Sequence, residues 1–378
     1  MTSAARAPLL AITSLRFFAA LVVVGSHEGF LAKSGSPALA WLYAHVFYEG
    51  YIGVTFFFIL SGFILSYSYS ERAESGRLQY PDFIFTRIAR IVPLHLLTLL
   101  IALPLAFVTL AKGLIPPAHF SLGLLANAAL LQAFVPTPDI YFSFNAPSWS
   151  LSVEMFFYAL FPALLGLRTR WLAALAITIL LAKCAVSAQA SEETVHFFVY
   201  IFPPARLIDF LAGILLFRLY RRWPEPSAAA ATLAQALSVT TLAAFFCFKE
   251  SISQALRYDT FYILPMAMLV LSFGWDVGRL AKAIAGRGLV FLGEASFALY
   301  LIHQLVIRYG ESVRSRIMHG SSTTQDIATA VAYALISIGL SAVLFSRFEI
   351  GAKRWTLRTL QQCWGRPASA QLQDKPSA

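Results

Sequence analysis

The chain reads as an all-α, polytopic integral membrane protein with about ten transmembrane helices in one bundle. Three observations carry that reading. Of 378 residues, 58% are hydrophobic and only 13% are charged, and the mean hydropathy is +0.68, well beyond ordinary soluble domains. Apolar runs recur between polar breaks, and runs of about 18 residues or more are long enough to cross a hydrocarbon core as helix. The period-2 alternation of a membrane barrel is absent. The aromatic share, 14% with 32 Phe and 7 Trp, suits lipid-facing and interfacial helix surface rather than nucleic-acid stacking platforms. The lipid bilayer is therefore an expected partner, and nucleic acid is not.

In chain order the expected spans are 9–30, 50–70, 88–111, 148–167, 171–188, 197–218, 229–248, 259–275, 288–308 and 326–346. The first competes with a signal peptide, because Arg6 precedes it, but Arg16 splits the apolar stretch and favours an uncleaved span. In the second, Gly53, Ser61 and Gly62 permit close helix approach. The run 120–134 between the third and fourth is short, so it is expected to be interfacial or re-entrant. Counted this way, one side holds Arg6, Arg72, Arg77, Arg87, Arg90, Arg168, Arg170, Arg218, Arg221, Arg222, Arg279, Lys282, Arg287 and a basic C-terminal tail. The other holds Lys33, Lys112, Lys249, Arg257, Arg308, Arg314 and Arg316. That asymmetry predicts both termini in the cytoplasm.

Residues 1–360 are expected to form one domain, and 361–378 a polar tail without a packed core. No internal period is evident. Cys184, Cys247 and Cys363 lie too far apart for a zinc site or a disulfide framework, so no metal is expected.

Ionisable residues inside spans are expensive and point to function. Arg16 and His27 are eleven residues apart, three turns plus about 20°, so they share one helix face with roughly 16 Å of rise between them. Snorkelling by Arg16 and simple packing by His27 are the alternatives. Arg87 and Arg90 in FIFTRIARIVPLH (83–95) share a face at the cytoplasmic boundary, where two guanidiniums can grip a phosphorylated group or merely flank the span. In NAPSWSLSVEMFFYALFP (145–162), Ser150 and Glu154 lie at i,i+4 beside Trp149, and Glu154 could orient an imidazole as triad carboxylates do. Arg206 and Asp209 at i,i+3 read as an internal ion pair supporting the site. In FLGEASFALYLIHQ (291–304), Ser296, Tyr300 and His303 form a polar stripe that either lines an acceptor path or ties helices together.

Taken in this order, the Arg16/His27 face, GVTFFFILSGFIL, Arg87/Arg90, SWSLSVE, the Arg206 segment and SFALYLIH resemble the membrane-bound acyltransferase 3 family over nearly the whole chain. The resemblance implies acylation of hydroxyl groups on envelope carbohydrates or glycolipids in the bacterial cytoplasmic (inner) membrane. It implies that Arg16 and His27 are essential in a catalytic channel, and that Arg87 and Arg90 meet acyl-CoA from the cytoplasm. Many members carry an acid where this chain has Thr55, so no role follows for that position. No cofactor is expected to be permanently bound; acetyl-CoA or another acyl-CoA is the donor substrate.

The chemistry fits the residues. A sugar hydroxyl needs a base and a thioester needs polarising. Histidine, with an ordinary pKa of about 6.5, can take the hydroxyl proton and return it to the thiolate. Direct transfer and an acyl-histidine relay are both open at this stage. The competing function is a transporter or flippase for a lipid-linked saccharide, with the same charges lining a passage; that reading calls for Gly/Pro-interrupted spans repeated in two halves, which the unrepeated motifs do not supply.

Overall fold

The computed structural model describes residues 7–317 and 322–364, and every regular element among them is helical. Arg6, and residues 365–378 of the expected tail, lie outside the described residues. The long helices are α1 (Leu10–Ser26), α2 (Gly53–Glu74), α3 (Tyr80–Ala111), α4 (Trp149–Gly166), α5 (Thr169–Gln189), α6 (Pro203–Tyr220), α7 (Ala228–Phe248), α8 (Thr260–Phe273), α9 (Ser296–Ile317), α10 (Thr323–Leu344) and α11 (Ile350–Cys363). Helix α11 carries regular structure beyond residue 360, the expected end of the domain.

Among the described residues, seven helical segments are long and apolar enough to span a bilayer, and nine if two bent pairs each count once. One pair, Glu192–Ile201 with Pro203–Arg222, bends by 41°. The other, Arg287–Glu294 with Ser296–Ile317, bends by 63°, so the expected straight span 288–308 is broken. Just before the break the backbones touch: a Cβ on Gly293 would lie 1.9 Å from the Thr13 carbonyl oxygen. The short helix therefore lies against the start of α1 before α9 turns inward.

Helix α8 falls outside that set because its 14 residues rise only about 21 Å, short of a roughly 30 Å hydrocarbon core. It still carries the chain back. Before it, Lys249 pairs with Glu49 just ahead of α2, at 3.4 Å; after it, Asp276 accepts hydrogen bonds from the backbone N–H groups of Leu10 (2.6 Å) and Ala11 (2.7 Å) at the start of α1. Asp276 thereby satisfies two donors that the first turn of α1 leaves open. The segment Pro117–Ala128 has 12 residues and does not cross by length, in keeping with the re-entrant or interfacial expectation.

The two described ends share one face. Tyr67 of α2 donates to the Ala7 carbonyl at 3.0 Å, and Trp364 packs on Phe85 of α3 with ring centroids 5.6 Å apart. Both contacts lie near the α2–α3 turn, on what is called here the Arg87 face; the opposite side is the His27 face. At the centre α2 crosses α6 almost backbone to backbone: a Cβ on Gly62 would sit 2.2 Å from the Phe210 carbonyl oxygen, and one on Gly213 would sit 2.0 Å from that of Ile59. Any side chain at either position would force the helices apart.

Candidate active site

Helices α1, α3, α4 and α9 bring Arg16, Arg87, Arg90, Ser150, Glu154, Ser296 and Tyr300 to one cavity of about 190 Å³ in the half nearer the Arg87 face. The i,i+3 and i,i+4 spacings read from the sequence place each pair on the face that meets this space. Glu154 accepts hydrogen bonds from Ser61 at 3.3 Å and from Tyr158. Arg87 donates to the Tyr69 hydroxyl at 3.3 Å, and its guanidinium lies over the rings of Tyr69, Tyr158 and Phe83 at 5.7, 5.8 and 5.9 Å. Its Nε is buried with no partner. Ser150 donates to the Tyr300 hydroxyl at 2.8 Å, and Tyr300 to the Pro147 carbonyl at 3.2 Å, closing the far end of the cavity. Arg16 and Arg90 both feel the field of Glu349, a buried carboxylate contributed from beyond α10. The lining itself holds three guanidiniums against one carboxylate, Glu154, and so suits an anion.

His27 does not line this cavity. It lines a second one of about 610 Å³ on the His27 face. Between them stand Tyr300, whose ring packs 6.0 Å from both Phe57 and His303, and His303 itself, which is fully buried. The rings of His27 and His303 meet edge to face at 4.9 Å.

The expected pairing of Glu154 with His27 is not formed. Glu154 is held among Ser61, Tyr158 and the arginines, whereas the His27 contacts are the Val23 carbonyl (2.9 Å), Ser26 (3.4 Å) and His303 Nε2 (3.3 Å), all through Nδ1. The physical reason is depth: Glu154 lies in the Arg87 half of the bundle, while His27 is about 16 Å along α1 from Arg16. The neighbouring groups instead fix the imidazole tautomers. A carbonyl oxygen only accepts, so His303 Nδ1, 3.1 Å from the Leu299 carbonyl, carries a hydrogen and its Nε2 a lone pair. His27 Nδ1 then carries a hydrogen shared by Val23 and His303. That leaves His27 Nε2 as a bare lone pair, with no hydrogen-bond partner among the described residues.

Trp149 and Arg206 lie in neither cavity lining. Trp149 is buried against Tyr200, 4.9 Å between ring centroids, and Phe58, 6.3 Å. Arg206 and Asp209 form the expected ion pair, at 2.8 Å and fully buried, but the network is larger than its sequence spacing reveals. Asp259 lies 3.8 Å from Arg206 and also pairs with Lys183, and Thr55 accepts a hydrogen bond from Arg206 at 3.0 Å. Where the resemblance leads one to expect an acid, this chain offers a hydroxyl, and Asp259 supplies charge from another helix terminus. Tyr158, Glu349 and Gln304 are site-lining or site-facing groups without a sequence-based expectation, and Ser61, expected only to permit close helix approach, lines the inner cavity as well. Tyr158, at i+4 from Glu154, was legible; Glu349, about two hundred residues away in the chain, carried no local signal. Among the described residues, no three His, Cys, Asp or Glu side chains converge as a metal site would require.

An acyltransferase domain profile, Acyl_transf_3, matches residues 9–346. The chain is 31% identical to an acyltransferase of Streptomyces mycarofaciens, MdmB, over 354 residues, covering 88% of each chain. It is 26% identical to the exopolysaccharide production protein ExoZ of Rhizobium meliloti, covering 70% of this chain and 78% of that one. Against the peptidoglycan O-acetyltransferase OatA of Listeria monocytogenes it is 25% identical, covering 78% of this chain and 49% of the relative. No solved structure matches.

Proposed function

Since the chain belongs to the acyltransferase 3 family, we propose that it is a membrane O-acyltransferase carrying an acetyl group from cytoplasmic acetyl-CoA to a hydroxyl of an envelope carbohydrate or glycolipid. The observation that carries this is the position of His27 Nε2, a free lone pair in the outer cavity with an arginine-lined cavity on the other side of one aromatic layer. The Arg87 face is then cytoplasmic, in the inner membrane.

The inner cavity, at about 190 Å³, is below the roughly 300–1,000 Å³ of ordinary small-molecule sites. It takes a narrow pantetheine arm, while the phosphates of the nucleotide stay near Arg87 and Arg90. Delivery of the thioester requires the layer of Tyr300 and Phe57 to part. His27 Nε2 accepts the proton of the acceptor hydroxyl as its oxygen attacks the thioester carbonyl. The carbon–sulfur bond breaks, and the same proton passes from His27 to the departing CoA thiolate. Direct transfer is favoured over an acyl-histidine because Nε2 belongs to the outer cavity, where the hydroxyl arrives. His303, in the position first considered for Glu154, holds the imidazole in the required tautomer. Arg16 remains essential in the inner cavity as a charge partner of the incoming donor, and Glu154 holds the arginines there.

The test compares envelope glycans from cells carrying the intact protein or His27→Ala by mass spectrometry. The intact protein adds an acetyl mass that the variant lacks, with both proteins inserted equally in the membrane. Acylation retained in His27→Ala refutes the role of His27, and glycans of unchanged mass but altered amount favour the transport reading.

A further inference from the structure

Cations on the translocated side of a membrane protein run against the positive-inside bias, so those that remain there call for a reason. The structure supplies one for three of them. Lys249 and Arg257 share Glu49 and Glu250, and Arg314 pairs with Glu311 and Asp326, both at 2.9 Å. Of the other four, Lys33, Lys112 and Arg308 have no carboxylate within ion-pair distance among the described residues, and these three, unlike Arg316, line the outer cavity beside His27. Arg308 spends one N–H on the Phe144 carbonyl. The one acid in the lining, Glu311, is already taken by Arg314 and Tyr333.

A second observation points the same way. Gln304, next to His303 on α9, lines this cavity with its Oε1 buried and unpartnered. A buried amide oxygen left without a donor has given up its hydration for nothing. It accepts only, so the natural complement is a hydroxyl of a bound molecule. At about 610 Å³ the cavity is of ordinary small-molecule size.

We propose that the outer cavity binds an acceptor bearing a phosphate or carboxylate, with Lys33, Lys112 and Arg308 on the anion and Gln304 on a neighbouring hydroxyl. This rests on the reading of His27 as the base and of its face as the non-cytoplasmic one. The anion could belong to the diphosphate carrier of a lipid-linked saccharide or to an acidic sugar; both present oxyanions that ammonium and guanidinium groups bind alike.

The experiment titrates inorganic diphosphate, glucuronate and glucose into the full chain in nanodiscs of uncharged phosphatidylcholine, with CoA saturating the inner cavity. Diphosphate, glucuronate or both bind, and glucose does not; the anion bound more tightly identifies the source. Lys33→Gln/Lys112→Gln weakens anion binding by about tenfold or more, and Lys33→Arg/Lys112→Arg restores it. Arg87→Ala/Arg90→Ala leaves anion binding in place; if that variant still binds CoA normally, the donor site is refuted while the anion site stands. The proposal is overturned if the wild type binds neither anion, or if the glutamine pair binds like wild type.

Discussion

The two cavities on either side of His303 differ in width and in how their charge is met. The inner one holds Arg16, Arg87 and Arg90 against Glu154 and the nearby Glu349, in about 190 Å³. The outer one is about three times larger and leaves Lys33, Lys112 and Arg308 without acidic partners. A tight, partly neutralised cavity grips a constant substrate whose shape never varies. A wide one with free cations has room for a larger, charged molecule, as the proposed acceptor site requires. On the proposed function, donor and acceptor recognition are separate problems, joined at the imidazole pair.

After His27 itself, the largest effect is expected at His303, where the two cavities meet. If His303 fixes the tautomer of His27, His303→Ala lowers kcat by about 10²-fold, within the range of general acid–base catalysis, with little change in KM for either substrate. His303→Gln, whose amide can still accept from His27 Nδ1, recovers part of the loss, and the pH profile of the alanine variant moves because the imidazole it leaves behind has lost a partner. A merely structural role predicts equal loss in both variants and an unmoved profile. A smaller effect tests the inner side. Arg87→Ala and Arg90→Ala each raise KM for acetyl-CoA by about tenfold and leave the acceptor KM unchanged in steady-state assays. An acceptor KM that rises equally would dissolve the distinction between the cavities.

Much of this was legible in the sequence, and the failures have physical causes. The helical class followed from composition, and the 3.6-residue period correctly set Ser150 with Glu154 and Ser296 with Tyr300 on cavity-lining faces. The same period put Arg16 and His27 on one face, yet a face is not a depth: three turns of rise carry them to opposite sides of the Tyr300 layer. Glu154 was assigned to His27 for the same reason, since spacing along α4 says nothing about which layer of the bundle it reaches. Helix α8 looked like an ordinary span because its apolar run is continuous, but its first turn begins at Asp259, inside the buried network with Lys183 and Arg206. That network was visible only as the local Arg206–Asp209 pair, because Lys183, Thr55 and Asp259 come from distant parts of the chain. Losing one member of such a buried set costs about 3–5 kcal/mol, and the set ties α2, α5, α6 and the start of α8 together.

The central claim is that donor and acceptor reach His27 from opposite faces. Sealed inverted membrane vesicles from cells making the protein, supplied outside with labelled acetyl-CoA, should incorporate label into lumenal glycans, and right-side-out vesicles given the same donor should not. Equal labelling in right-side-out vesicles, or label that persists with His27→Ala, would contradict the account.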